Sequence, residues 1–496
     1  MRRCGPYPSH ARRYPRQPKE SSVKRLSPAL IAATLSLLLA PIAAFASGGH
    51  HDLDGSVLTV AWALPFACML LSIAVMPLAL PHFWHHHFGK VSAFWALAFL
   101  VPCAAVFGMQ TAIYQVLHTF LLEYVPFLIL LFALFTVAGG VRLKGSLVGT
   151  PVVNTAILAV GTLLASWMGT TGAAMLLIRP LLRANSHRRF RVHSVVFFIF
   201  LVANIGGSLT PLGDPPLFLG FLKGVSFFWT TSHLLMKTIL VSVILIAAFF
   251  VLDTVLFNRE GRPVPPNAES GEKLGLDGVV NLPLLGGVVA LVLMSGLWKP
   301  EVAFNVYGIE VELQNLARDL GLLGIAALSL KLTSTECRRL NEFTWGPIEE
   351  VAKLFAGIFV SMIPAIAILK AGEAGALAPV INMVTHDGQP VNTMYFWLTG
   401  ILSSFLDNAP TYLVFFNTAG GDAMHLMNDI PETLAAISAG AVFMGANTYI
   451  GNAPNFMVRS IAEEQGVPMP SFFGYMAWSC GILVPCFILV TWLFFM

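Results

Sequence analysis

Long apolar segments separated by short polar ones dominate the chain from about residue 57 to its end. A helix needs about 20 consecutive apolar residues to cross the hydrocarbon core of a bilayer. The pattern therefore predicts an all-α polytopic membrane protein of about 11 transmembrane helices, with polar loops at 258–277, 299–319 and 372–390. The predicted helices are Val57–Leu80, Val91–Gly108, Val125–Gly140, Pro151–Met168, Val192–Gly206, Thr231–Phe257, Val279–Leu297, Leu320–Leu330, Ala352–Leu369, Pro431–Gly445 and Phe472–Phe495.

Composition supports a membrane location. The 496 residues are 56% hydrophobic and only 11% charged, whereas about 25% of the residues of a soluble protein are charged. The net charge of +3 is small, and basic residues cluster near the ends of apolar segments, a pattern that orients membrane proteins. We therefore expect lipid as a partner and no nucleic acid. The six cysteines form no CxxC pair, so we expect reduced thiols without a metal.

Residues 1–46 are typical of a signal peptide or leader. A basic region ending at Lys24 and Arg25 precedes an apolar run, and "AFASGG" places Ala44 and Ala46 at the small-residue positions of a cleavage site. Cleavage would leave Ser47 as the mature amino terminus, outside the cytoplasmic (inner) membrane. An uncleaved first helix is the alternative.

Two segments are predicted to enter the membrane and return. Basic residues flank Pro151–Met168 on both sides, starting at Arg142 and Arg183, and clusters of this kind lie in the cytoplasm. The segment is therefore a re-entrant hairpin, with its tip within 166–174. Tyr395–Phe416 has no basic cluster at either end, and counting spans from an external amino terminus places both of its ends outside. It is the second hairpin, with its tip within 403–411.

An offset of 238 residues aligns both hairpins without a gap. The same offset aligns two Gly/Pro-rich stretches, "GSLTPLGDPP" at 207–216 and "GANTYIGNAPN" at 445–455. It predicts an inverted repeat, with the first repeat at 47–257, a cytoplasmic linker at 258–278 and the second repeat at 279–496. Interrupted apolar segments at matching positions of two halves are the best sequence indication of a transporter binding site.

The two interrupted stretches predict two broken helices. Unpaired backbone groups in hydrocarbon cost several kcal/mol each, so irregular backbone persists only where it lines a polar cavity or holds an ion. The side chains near the breaks and hairpin tips offer oxygen atoms, which are ligands of hard cations. The candidate cation- and proton-binding residues are Thr170, Thr171, Ser208, Thr210, Asp214, Asp407, Asn408, Thr411, Asn447, Thr448 and Asn452.

Asp214 and Asp407 are the carboxylates of this set. An Asp in the middle of a membrane helix costs about 2.5–3.5 kcal/mol, so such a residue indicates function. Each carboxylate can hold either a proton or Na⁺, and this competition would couple the two ions. The alternative interpretation is that each Asp caps a helix, which the two prolines after Asp214 also favour.

Other polar residues receive structural interpretations. The tract His82–His87 is predicted to be an interfacial loop, with metal binding or pH sensing as the alternative. Glu349–Glu350 are typical of a helix start. Glu123 and Asp253 lie near the ends of predicted spans, and proton relay is the alternative role for them. Arg179 is predicted to extend its side chain to the cytoplasmic surface.

Five stretches resemble the NhaD-type sodium/proton antiporters of the ion transporter superfamily, whose relatives include citrate, dicarboxylate and arsenite carriers. They are "LLASWMGTTGAAMLLIRPLL", "ANIGGSLTPLGDPPLFLGF", "EEVAKLFAGIFVSMIPAIAIL", "SSFLDNAPTYLVFF" and "GANTYIGNAPNFMV". The resemblance implies a scaffold, a transport domain with an elevator-like motion and a homodimer held by the scaffold. It places Thr170, Thr171, Asp214, Asp407 and Asn408 on polar motif positions of that family.

One departure bears on the substrate. Dicarboxylate carriers of this superfamily show Ser-Asn-Thr at both hairpin tips, whereas this chain has Gly-Thr-Thr and Asp-Asn-Ala. An added Asp would repel a carboxylate.

The sequence leaves three functions open. The first is a sodium- or lithium-exporting proton antiporter that has no cofactor beyond the transported Na⁺ or Li⁺ and H⁺. The second is a sodium- or proton-coupled citrate or dicarboxylate transporter. The third is an intramembrane aspartyl protease, in which two membrane Asp residues form a dyad. The protease is disfavoured because Pro211 stands where its Gly-x-Gly-Asp motif needs the first Gly.

Overall fold

The computed structural model describes residues 52–263 and 273–496, and in these ranges the chain is almost entirely helical. The predicted leader and residues 264–272 of the predicted linker lie outside the described residues. The helices are α1 Leu64–Ala79, α2 Pro81–Phe107, α3 Met109–Ala138, α4 Pro151–Met168, α5 Thr170–Ala184, α6 Val192–Leu201, α7 Pro215–Leu222, α8 Trp229–Arg259, α9 Asn281–Leu297, α10 Leu313–Leu332, α11 Thr335–Leu340, α12 Gly346–Lys370, α13 Ala378–Val384, α14 Asn392–Phe405, α15 Asn408–Thr418, α16 Ala423–Asn428, α17 Pro431–Met444, α18 Ala453–Glu464 and α19 Phe472–Phe494.

Each of the eleven apolar segments coincides with a helix, and the all-α polytopic fold is confirmed. Eight helical segments of the described residues are long and apolar enough to cross a membrane. Two of them, Val60–Ala79 and Val192–Leu209, include the 3₁₀ turns next to α1 and α6. The other three segments became α9, which has 17 residues, α10, which carries Arg318 and Asp319, and α17, which has 14 residues. All eleven predicted segments are therefore helical, and three of them lack the length or composition of a helix that crosses a membrane alone.

The prediction of a loop at the histidine tract was wrong. His82–His87 lie in the first turns of α2, which begins at Pro81. Pro81 at the first helical position favours a helix start there. His86 and His87 each bond to a backbone carbonyl one turn earlier, at 2.9 and 3.1 Å. Helix α3 is also longer than predicted and contains a π-helical turn, Phe120–Tyr124.

The helices pack in two groups. Helices α1, α2 and α12 contact one another, and α3 packs against α10 and α9. The second group consists of α4–α8 and α14–α19, in which α4 packs on α5 and α14 packs on α17. Buried apolar side chains extend through both groups as one large cluster.

The strands are short and form three antiparallel pairs. The strands are β1 Arg142–Lys144, β2 Gly275–Asp277, β3 Ala303–Val306, β4 Ile309–Glu312, β5 Thr385–His386 and β6 Gln389–Pro390. They pair as β1 with β2, β3 with β4 and β5 with β6. In the first pair, Asp277 lies 2.8 Å from Lys144 and 3.2 Å from Arg142. The hydrogen bond from Lys144 holds the pKa of the Asp277 carboxyl below its usual value.

Helix interruptions occur at equivalent places in the two halves of the chain. The α4–α5 hairpin turns at Gly169, and the α14–α15 hairpin turns at Leu406–Asp407. The open end of the first hairpin is closed by a 2.9 Å hydrogen bond from Gly149 N to Ala184 O. After α6, a 3₁₀ turn at Ile205–Leu209 precedes α7; after α17, a 3₁₀ turn at Gly445–Asn447 precedes α18. These interruptions fall where the repeat predicted them.

Candidate functional site

Matching hydrogen bonds fasten each broken helix to the tip of its own hairpin. The hydroxyl of Thr210 donates to the carbonyl of Ser166, and the hydroxyl of Thr448 donates to the carbonyl of Ser404. In return, Ser166 donates to the Gly206 carbonyl at 2.5 Å, and Ser404 donates to the carbonyl of Met444 at 3.1 Å. Each residue of the first set lies 238 positions before its counterpart. The broken segments therefore satisfy part of their backbone with hydroxyl groups, as a lipid environment requires.

Glycine lets the chain fold back on itself at both breaks. A Cβ atom on Gly213 would lie 2.1 Å from the carbonyl oxygen of Gly207, and one on Gly451 would lie 2.5 Å from that of Gly445. No side chain fits in either space, since non-bonded heavy atoms do not approach so closely. This close contact directs the next residue in each repeat, Asp214 or Asn452, towards the interior.

Asp214 is the centre of the site. Its side chain is buried, and it makes no capping hydrogen bond to α7 although it occupies the N-cap position. It accepts hydrogen bonds from Thr170 Oγ1 at 3.1 Å, from Asn452 Nδ2 at 3.1 Å and from Asn408 Nδ2. These donors come from the first hairpin tip, the second broken helix and the second hairpin tip. The site therefore brings together four of the predicted residues, from both repeats.

All three of these donors are neutral. Among the ion pairs of the described residues, none involves Asp214. A buried carboxylate without a cationic partner carries its charge at a large cost in free energy. The Asn408 side chain uses its amide nitrogen on Asp214, and its buried oxygen has no partner within the described part of the chain.

A layer of amides supports the centre. Asn452 Nδ2 also donates to the carbonyl oxygen of Ala203 and to Asn204 Oδ1, both at 3.2 Å. Asn204 in turn donates to Asn455 Oδ1 at 2.7 Å, which links the two broken helices. Asn204 was not among the predicted site residues, although an amide directly before the first break was a usable signal.

Asp407 has a different environment from Asp214. It is partly exposed and caps α15, accepting a hydrogen bond from Ala409 N at 3.0 Å. The contact observed for Asp407 is therefore the one expected from the alternative interpretation, in which the residue caps a helix. The residue after Asp407, Asn408, is the one that reaches the Asp214 carboxylate.

The other predicted residues contact their own helices or neighbouring ones. Ser208 bonds to the Ile205 carbonyl and to Thr238 Oγ1 of α8, at 2.8 and 2.6 Å. Thr411 donates to the backbone one turn earlier. Asn447 donates to Ser404 Oγ at 2.9 Å, while its own buried oxygen lacks a partner in the described ranges. Thr171 follows Thr170 in α5 and is partly exposed.

A buried ionic cluster, which was not predicted as such, lies away from Asp214. The Asp253 carboxylate of α8 contacts Arg188 at 2.6 Å and His193 at 2.7 Å, and it accepts a 2.9 Å hydrogen bond from Asn154. Arg188 also lies 3.5 Å from Glu260. The charge of Asp253 is thus balanced in a cluster to which α4 contributes Asn154, α6 contributes His193 and the loop between α5 and α6 contributes Arg188.

Two further ion pairs involve residues discussed from the sequence. Glu123 lies in the π-helical turn of α3 and contacts Lys223, just after α7, at 2.5 Å. Arg179 of α5 contacts Glu342 at 2.9 Å. Glu349 lies in the first turn of α12, as expected of a helix start.

Comparisons with known proteins identify a family of transporters. Residues 55–495 match the family described as "Putative citrate transport", and the chain belongs to this family. An uncharacterized transporter of Mycobacterium tuberculosis is 26% identical over 330 residues, covering 65% of this chain and 72% of that protein. An uncharacterized transporter of Synechocystis is 24% identical over 328 residues, covering 61% and 68%. The protein is a multi-pass membrane protein of a transport family. An NhaD-type specificity does not follow from these matches.

Proposed function

We propose that this member of the citrate transport family exchanges Na⁺ or Li⁺ for protons, and that Asp214 binds the cation and the proton in turn. The supporting observation is the buried Asp214 carboxylate, held by neutral donors from both repeats. Either a proton or a cation would offset the cost of burying its charge. Since both compete for the same carboxylate, binding of one releases the other, and this competition couples the two flows.

The ligands near Asp214 favour a cation over an organic anion as the cargo. The unpartnered oxygen of Asn408 is a hard ligand of the type that alkali cations accept. An anionic substrate would instead meet the negative charge of Asp214, and like charges oppose binding. Membership of a transport family favours transport over the aspartyl protease interpretation.

A sodium- or proton-coupled citrate or dicarboxylate transporter is the second candidate. The description of the family favours it about as well as the antiporter. In that case Asp214 would bind the coupling ion, and the amino-terminal ends of α5 and α15 would face the anion.

We further propose that the protein lies in the inner membrane with its mature amino terminus outside. Basic residues near Arg142, Arg183 and Arg189 flank the open end of the first hairpin, and the positive-inside rule places this end in the cytoplasm. In a background with the native cysteines replaced by serine, a membrane-impermeant thiol reagent applied to whole cells should label Asp387→Cys and leave Lys273→Cys unlabelled. The reverse labelling would invert the orientation.

Proteoliposomes test the function. The purified protein is reconstituted with a pH-sensitive dye inside, a pH gradient is imposed, and Na⁺, Li⁺, K⁺ or choline is added in turn. The antiporter should dissipate the gradient on addition of Na⁺ or Li⁺ and not on addition of choline. Uptake of labelled citrate, without any response to cations alone, would instead identify the second candidate.

Three variants test the site. Asp214→Asn should reduce exchange to the level of empty liposomes, because an amide cannot exchange a proton for a cation. Asp387→Asn is the matched control: its carboxylate is exposed, and exchange should equal that of the wild type. Asp407→Asn keeps a good N-cap residue, so loss of exchange in this variant would assign the charge of Asp407 to ion binding. Full exchange by Asp214→Asn would refute the proposed site.

A further inference from the structure

Equivalent helices of the two repeats contact each other reciprocally. Helix α5 of the first repeat packs against α18 of the second, and α15, the equivalent of α5, packs against α7, the equivalent of α18. Reciprocal contacts of this kind are the signature of two-fold symmetry. The two repeats are therefore related by a pseudo-two-fold axis that passes between these helices.

Asp214 and Asn452 lie next to this axis. They are equivalent residues, 238 positions apart, and Asn452 Nδ2 is only 3.1 Å from Asp214 Oδ1. Two symmetry-related atoms can be this close only if both lie near the axis. The hairpin tips are related in the same way: Thr170 and Asn408 are equivalent, and both donate to Asp214.

The site is thus symmetric in position and asymmetric in charge. By this symmetry, a carboxylate at position 452 would face the tip of its own hairpin, the tip of the opposite hairpin and, as observed, the equivalent residue across the axis. Asn452 places a neutral amide there. Its nitrogen donates to three oxygen atoms, those of Asp214, Ala203 and Asn204.

We infer that Asn452 is a specificity-determining residue, which limits the centre of the transporter to one carboxylate. This inference rests on the proposed function. It holds that transport requires one carboxylate at the axis, and that either position, 214 or 452, can supply it. A second carboxylate in direct contact with the first would add like charge in a buried site. The pair would then retain a proton between them or require a divalent cation, and monovalent exchange would fail.

The experiment compares four proteins in the proteoliposome assay: wild type, Asp214→Asn, Asn452→Asp and the exchanged double variant Asp214→Asn/Asn452→Asp. Sodium-driven exchange by the double variant should exceed that of Asp214→Asn by at least about tenfold, because the second substitution returns one carboxylate to the axis and residues in contact do not contribute independently. Recovery should be partial, because the carbonyl of Ala203 and Asn204 Oδ1 would lose their donor. Asn452→Asp alone should lose at least about tenfold in exchange of Na⁺, as expected when a like charge is placed in contact with Asp214.

Two results would overturn the inference: a double variant no more active than Asp214→Asn, or Asn452→Asp with wild-type exchange of Na⁺. Thermal melting and size-exclusion profiles establish that each variant is folded. If the double variant is not recovered folded, Asn452→Asp, which retains Asp214, decides the question. The wild-type arm separates this inference from the proposed function. If the wild type transports citrate and does not exchange cations, the proposed function fails, and the same variants are compared in citrate uptake.

Discussion

Replacing Asp253 by Asn should destabilise the protein strongly, because it would break a buried ion pair. The side chains of Asp253 and Arg188 are both fully buried, and their charged atoms lie 2.6 Å apart. Asp253 also accepts hydrogen bonds from His193 and Asn154. The substitution preserves the shape of the side chain and removes its charge, which leaves the Arg188 guanidinium with Glu260 at 3.5 Å as its remaining ionic partner.

The magnitude follows from the cost of an uncompensated buried charge. Removing one partner of a buried ion pair costs about 3–5 kcal/mol. Glu260 still offsets part of the Arg188 charge, so we expect a loss near the lower limit, about 3 kcal/mol. A change of this size lowers the ratio of folded to unfolded protein by roughly a hundredfold.

Thermal unfolding of the purified protein in detergent measures this effect. The matched control is Glu336→Gln, which breaks the Arg339–Glu336 pair of similar length, 2.7 Å. The side chains of Arg339 and Glu336 are 71% and 59% exposed, and exposed pairs contribute only about 0–1 kcal/mol. The midpoint of Asp253→Asn should therefore lie well below that of Glu336→Gln. If the two variants unfold at the same temperature, burial does not decide the cost of breaking the pair.

Three further substitutions probe the framework of the site. Gly213→Ala should abolish exchange and destabilise the protein by about 1–3 kcal/mol, because its Cβ atom would clash with the Gly207 backbone. The control is Gly481→Ala, where the added Cβ atom contacts nothing. Equal melting midpoints of the two variants would mean that the backbone at the break can relax. Thr448→Val removes the hydroxyl donor to the buried Ser404 carbonyl. It should lower the free energy of unfolding by about 1–3 kcal/mol and remove most of the exchange activity. An unchanged melting midpoint and unchanged transport would mean that this hydrogen bond does not hold the broken helix. Gly220→Ala places a Cβ atom 2.4 Å from Tyr412 Oη, between α7 and α15. This overpacking should lower the free energy of unfolding by about 1–3 kcal/mol, measured as a reduced melting midpoint. A midpoint at or above that of the wild type would show that the two helices accommodate the added methyl group.

The two halves of the chain are unequal outside the centre of the site. The position equivalent to Asp253 is Thr491, which accepts a hydrogen bond from Trp397 at 3.0 Å. The position equivalent to Asn154 is Asn392, which bonds to Thr433 at 2.7 Å. The ionic cluster of the first repeat thus has a neutral counterpart in the second, although the backbone interruptions match. The two halves share the backbone interruptions and differ in the side chains at these equivalent positions.

The sequence determined the class of fold and the places where helices are interrupted. Apolar runs long enough to cross a bilayer have few alternative structures, because backbone groups in hydrocarbon must be paired within the chain. Glycine and proline mark the breaks, since they either adopt conformations that other residues avoid or lack a hydrogen-bond donor. The equivalence of the two halves was also readable from a single offset. The first and last residues of each helix could not be read from the sequence, as the start of α2 at Pro81 and the short α17 illustrate.

Only the tertiary structure decided which polar residues meet. Asp214 and Asp407 looked alike in the sequence, yet one is buried among three donors from both repeats and the other caps a helix. Asp253 looked like a solitary membrane acid, and its partner Arg188, in the loop between α5 and α6, became visible only in the tertiary structure. Contacts between residues far apart in the chain depend on the angle and depth at which helices pack, and the local pattern of hydrophobic and polar positions does not encode either quantity.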